Sequence, residues 1–308
     1  MDHTRSAVLP TAGIARTTTT RADLLRVAAA GALWGTGGIA GTLLDRTAGI
    51  SPLAVAAYRL LAGGLLLVVL LALAGQLRDV RRDRTAARRL AAIGALAALY
   101  QSCYFAAVAL TSVSLATLVT LGTAPVLVVA TDAVLTRRRP GRALLAAIAF
   151  AVTGLTLLVG SPSTDHDPAG LVTGSLLALT SASGFAAITL LGRRPVPGLD
   201  PAATTGFGFS AGGMLLVLAA APLGLSFTPD AVALGLVAYL GLVPTALAYV
   251  LYFRGLRTVH PGSAALIALL EPLTAAVLGA LLLGDRLGPA GVLGGLVIGA
   301  AVLLCRRG

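Results

Sequence analysis

Ser51-Pro52-Leu53-Ala54-Val55-Ala56-Ala57-Tyr58-Arg59-Leu60-Leu61-Ala62-Gly63-Gly64 returns 149 residues later as Asp200-Pro201-Ala202-Ala203-Thr204-Thr205-Gly206-Phe207-Gly208-Phe209-Ser210-Ala211-Gly212-Gly213. Pro52 matches Pro201, Tyr58 matches Phe207, and the small trio Ala62-Gly63-Gly64 matches Ala211-Gly212-Gly213. A second echo follows: Tyr104-Phe105 and then Pro125 match Tyr252-Phe253 and then Pro272. The offset is about half the chain, so the sequence is a duplicated unit. Both copies are strongly apolar, which points to a membrane protein built from two repeats, with its site between them.

Composition agrees. Of 308 residues 57% are hydrophobic and only 11% are charged, against roughly 25% charged in an ordinary soluble domain. The net charge of +11 invites a nucleic-acid reading, but its placement excludes one. There is no lysine, and the 23 basic residues are all arginine, gathered in short stretches between apolar runs. That is the pattern of membrane topology, not of a nucleic-acid groove. The two cysteines, Cys103 and Cys305, fall in or at the end of apolar runs, where neither a disulfide nor a metal-ligand spacing is expected.

A spanning helix needs about 20 apolar residues. The runs at 24–44, 52–74, 90–110, 115–135, 143–160, 170–191, 202–221, 231–253, 263–283 and 287–304 predict ten, with the fifth the shortest. The polar stretch 1–22 reads as a disordered cytoplasmic tail, followed by a first repeat over 23–160 and a second over 169–305. With the N-terminus inside, twenty of the arginines fall on the cytoplasmic side, and only Arg46 and Arg286 fall outside. Both termini are therefore expected in the cytoplasm, in a cytoplasmic membrane. Five spans per repeat is an odd number, so the second copy enters upside down. The expected fold is all-α integral membrane, with ten transmembrane helices arranged as two inverted five-helix repeats.

Several short motifs match one family. They are Leu33-Trp34-Gly35, Tyr58-Arg59 after Ser51-Pro52, and Pro125. In the second copy they are Ala246-Leu247-Ala248-Tyr249 through Tyr252-Phe253, Leu270-Glu271-Pro272, and Leu283-Gly284-Asp285-Arg286-Leu287. With these, over roughly residues 24–305, the chain resembles the EamA-type transporters of the drug/metabolite transporter superfamily. Two departures stand out: Asp285 replaces the usual glutamate, and Thr136-Arg137-Arg138-Arg139 offers no acid at the matching place. The resemblance implies that small metabolites are moved, often outward, and leaves the substrate open.

Ionisable groups inside a membrane are costly and usually have a purpose. Glu271 is the only glutamate in the chain and precedes Pro272. A proline removes a backbone donor and kinks a helix, so Glu271 is a candidate for a substrate amine or a proton, or else a group that only shapes the kink. Arg59 offers a fork for a carboxylate, or a gating and structural role, at the outer interface or in a pair with Glu271. Trp34, Tyr100, Gln101, Tyr104, Tyr249 and Tyr252 are expected to line a central cavity. The alternative for Tyr104 and Tyr252 is an interfacial aromatic belt. Ser181 and Ser183 are equivalent in place to Trp34, and Ser183 is taken as a cavity residue unless it back-bonds within its helix. Pro125 and Pro272 are expected to shape the helices, and Asp132 to pair locally with Arg137. The glycines at 291, 295 and 299 suit close packing within the chain or a homodimer.

The expectation is a secondary transporter for a small molecule such as an amino acid, working as an exporter, without cofactor and driven by a gradient. No phosphate-binding loop is present. A lipid-carrier flippase is the alternative on the same fold. An intramembrane enzyme lacks paired catalytic groups, because His3, His166 and His260 all fall in the tail or in loops.

Overall fold

The computed structural model of the chain describes residues 20–160, 168–225, 230–284 and 288–305. The expected tail up to residue 19, the acidic stretch Asp165-His166-Asp167 and the motif residues Asp285-Arg286-Leu287 lie outside the described residues.

Ten helices follow one another: α1 (Arg21–Ala48), α2 (Pro52–Leu73), α3 (Arg84–Leu110), α4 (Val113–Thr136), α5 (Arg142–Val159), α6 (Pro168–Gly192), α7 (Pro201–Ala220), α8 (Ala231–Gly255), α9 (Pro261–Leu282) and α10 (Pro289–Cys305). Among the described residues nine are long and apolar enough to cross a membrane, and α10 is a shorter apolar helix. The shortest is therefore α10, with 17 residues, rather than α5, with 18.

The echoed stretches are helix starts. Ser51 accepts a hydrogen bond from Ala54 N and Asp200 accepts one from Ala203 N, with Pro52 and Pro201 each in the first turn. A capping oxygen satisfies one of the unpaired N–H groups of the first turn, and proline there lacks an N–H that would be idle anyway. Asp83, Ser112 and Asp230 cap α3, α4 and α8 in the same way.

The two echoes also pack on each other. A Cβ on Gly64 would collide with Ser210 N, and one on Gly213 would lie 2.5 Å from Leu61 N. Residue number rises along α2 as it falls along α7, so these equivalent helices run antiparallel. Helices α5 and α10 repeat the arrangement: a Cβ on Gly154 would lie 2.9 Å from Ile298 N, and one on Gly294 would collide with Leu158 N. Antiparallel contact between equivalent helices is what inverted repeats produce. Glycine is required because backbones this close leave no room for a side chain.

Proline acts differently in the two halves. Helix α4 runs through Pro125 unbroken. Helix α9 breaks at Ala268-Leu269, one turn before Pro272. Pro272 has no N–H for the Ala268 carbonyl, and Glu271 N takes that carbonyl instead, at 2.9 Å. The carbonyl one turn back is thus paired, not orphaned. A wider π turn interrupts α8 at Leu242–Leu247, and another, Gly279–Leu283, forms the end of α9.

Outward-facing Leu65, Val69, Leu73, Leu215 and Leu218 form an exposed apolar surface, as a helix wall facing lipid must. The end of the bundle where α1 begins carries most of the described arginines and is here called the basic end.

Candidate functional site

The core between the halves is aromatic. Trp34 on α1 stacks against Tyr249 and Tyr252 on α8, with ring centroids 4.9 and 5.0 Å apart, and against Phe185 on α6 at 6.0 Å. Phe185 lies 5.7 Å from Tyr100 on α3, and Phe209 on α7 lies 4.5 Å from Tyr249. Tyr252 is fully buried and shares a 2.9 Å hydrogen bond with Thr189. It is a core group, not part of an interfacial belt.

Gly35 places the acid against this cluster. A Cβ at Gly35 would lie 2.5 Å from Glu271 O, so the Leu-Trp-Gly motif of α1 and the Glu-Pro motif of α9 meet backbone to backbone. Among the described residues no ion pair joins Glu271 and Arg59. Tyr104 lies further along α3, sharing a 2.8 Å hydrogen bond with Thr117 of α4. Gln101 is buried on the same helix.

Among the described residues, three buried side-chain polar atoms lack a partner: Trp34 Nε1, Arg59 Nε and the Thr245 hydroxyl. Buried polar groups are nearly always paired, so each needs an explanation such as a ligand or a water. Their helices converge. A Cβ at Gly37 of α1 would lie 3.2 Å from Pro244 of α8, and one at Gly63 of α2 would lie 2.9 Å from Thr245 Cγ2. Thr245 belongs to the π turn of α8, a distortion found often at functional sites.

One expected site residue is displaced. Ser183 is exposed on the outer surface of α6 and back-bonds to Leu179 O at 2.9 Å. Its neighbour Ser181 faces inward instead and donates to Tyr100 O at 2.9 Å. Asp132 does not pair with Arg137; it binds Arg193 at 2.9 Å and His260 at 3.0 Å. Phe185, Phe209, Thr189 and Thr245 were not singled out from sequence. Ser181, Phe185 and Thr189 recur every fourth residue, one face of α6, and that spacing was the available signal. Thr245 carried none, because a π turn shifts the register of its helix.

The arrangement is that of a multi-pass helical membrane protein with a buried aromatic centre, and a half-buried Arg59 and Glu271, between two inverted halves. The chain belongs to the EamA-like transporter family, whose model matches it twice, over residues 22–160 and 172–307. It is 32% identical over 261 residues to the uncharacterized transporter YwfM of Bacillus subtilis, covering 85% of this chain and 86% of that protein. It is 29% identical to the uncharacterized inner membrane transporter YicL of Salmonella typhimurium, over 92% and 95% of the two chains. Protein PecM of Dickeya dadantii matches at 32% identity over 52% of this chain and 54% of its own. A solved crystal structure shares the fold with a TM-score of 0.78 at 21% identity, covering 92% of this chain and 97% of that one. The protein is a membrane transporter.

Proposed function

We propose that the chain is a secondary transporter for a small metabolite bearing both a carboxylate and an amine, such as an amino acid, and that it moves this substrate outward by alternating access. The observation that carries this reading is the set of three partnerless buried groups, Trp34 Nε1, Arg59 Nε and the Thr245 hydroxyl. All three can donate, so together they call for an acceptor, and a carboxylate is the strongest small acceptor. Glu271 supplies the opposite charge for the amine. Tyr100, Gln101 and Tyr249 would provide the remaining wall, with Tyr104 at its outer margin. The arginine-rich end is taken as cytoplasmic, and both chain ends lie there on this reading. The inner half is then closed by Trp34, Phe185 and Tyr252, and the pathway opens to the other side.

The test is counterflow of radiolabelled amino acids in proteoliposomes across pH 5.5–8, about the range a desolvated carboxyl would sample. The parent protein should exchange label, and Glu271→Gln, which keeps shape and loses charge, should not, at normal insertion. Parent-like exchange by Glu271→Gln would remove the amine site from this reading.

A further inference from the structure

At the basic end a cavity of about 740 Å³ opens between α1, α4, α5, α6 and α9. Its lining includes Asp132, Arg138, Arg139, Arg193, Val259 and His260. Leu24 and Val259 line it and also pack into the core cluster that holds Trp34 and Tyr252. The cavity therefore reaches the edge of the core cluster that also contains the aromatic residues.

Asp132 of α4 is buried, with 8% of its surface exposed. One carboxylate oxygen accepts from Arg193 at the end of α6, and the other from His260 Nε2 in the α8–α9 connection. His260 Nδ1 accepts the Gly262 N–H at 3.2 Å, which caps α9 and fixes a neutral imidazole with its proton on Nε2. One carboxylate thus ties three helix ends together. One turn deeper, the same three helices meet through Val128, Ala186 and Ala265, with Leu127 and Leu190 packed against them.

We propose that Asp132, Arg193 and His260 form the latch of the gate at the basic end: joined, they hold the pathway shut there, and parted, they open it. This rests on the alternating-access reading above. The charges that face the latch are Arg138 and Arg139 from the α4–α5 connection, while α1 and α5 contribute only Leu24, Gly141, Ala143 and Leu144 to the same cavity. These arginines compete with Arg193 for Asp132, and they also draw anions to the place where a substrate carboxylate would displace Asp132 from Arg193.

The experiment is thiol accessibility without substrate, in nanodiscs where a soluble maleimide reaches both faces. The background is Cys103→Ala and Cys305→Ala. Val259→Cys reports the basic end, where Val259 is 2% exposed, and Thr117→Cys reports the opposite end. Adding Asp132→Asn should raise labelling at 259 about ten- to hundredfold, the effect of about one lost charge-assisted hydrogen bond, and lower it at 117. A rise at 259 with no fall at 117 would mean a local contact, a rise at both would mean loosening of the whole fold, and no change would mean no latch. Each of these three results overturns the proposal. No transport is measured, so a wrong substrate class leaves the test intact. Arg193→Gln, which leaves Asp132 and His260 paired, should give the same reciprocal change at smaller amplitude; a 117 signal that does not fall would count against the latch as well.

Discussion

At the scale of the residue, the candidate site is a few groups that a membrane would otherwise exclude. Trp34 is the sharpest case, since its ring is held on three sides while its N–H has no partner. Trp34→Phe keeps most of the packing and removes the donor. If that donor serves a carboxylate, KM for the transported acid should rise about ten- to hundredfold, the loss of one hydrogen bond to a charged group. An amine lacking the carboxylate should bind equally well to both forms. His260 gives a second prediction. Burial holds its pKa below the ordinary 6.5, Arg193 adds to this, and the Asp132 carboxylate opposes it. The folded state therefore binds fewer protons than the unfolded state, so this contribution is intact above about pH 6.5 and is lost as the pH falls below it. The detergent-solubilised protein should melt at a lower temperature at pH 5.5 than at 7.5, and His260→Gln should narrow that difference. Glu271, Arg59 and most of the aromatic wall were legible in the sequence because each is an expensive or rare group in an apolar run. Ser183 was misread because one residue on a helix is a turn of 100°, and neither serine declares which face is inward.

At the scale of the element, the sequence spoke most clearly at helix ends and crossings. The Ser-Pro and Asp-Pro pairs mark starts, and the glycine trios mark where α2 and α7 touch. Gly64→Val would force a branched side chain into Ser210 N, whereas Gly41 has no atom within 4 Å of its added Cβ. Gly64→Val should cost about 1–3 kcal/mol, seen as a lower melting temperature or poor accumulation, and Gly41→Val should match the parent. The prolines were harder to read. Pro125 and Pro272 occupy matching helices, yet only Pro272 breaks its helix, because a proline's effect depends on what neighbouring groups do with the freed carbonyl. The π turns of α8 and α9 left no trace in composition either. The widening is a matter of backbone register, which apolar periodicity does not encode.

At the scale of the whole molecule, the duplication, the odd span count and the asymmetry of arginine were enough to predict an inverted pair. What the sequence could not show is which ends are tied together. Asp132 has an arginine five residues away in Arg137, but binds residues 61 and 128 positions further on. Sidedness has its own check. Reporter fusions at residues 165 and 308 should fall on opposite sides of the membrane; equal sidedness would refute the ten-span arrangement. The glycine crossing of α2 and α7 has a mechanical consequence. Two rods that touch backbone to backbone near mid-length behave as a fulcrum: displacement is least there and grows with lever arm toward both rims. Spin labels at 65 and 214, exposed positions beside the crossing, should keep a constant separation when substrate is added, while labels at 73 and 202, at the far tips of the same two rods, should swing by several ångströms.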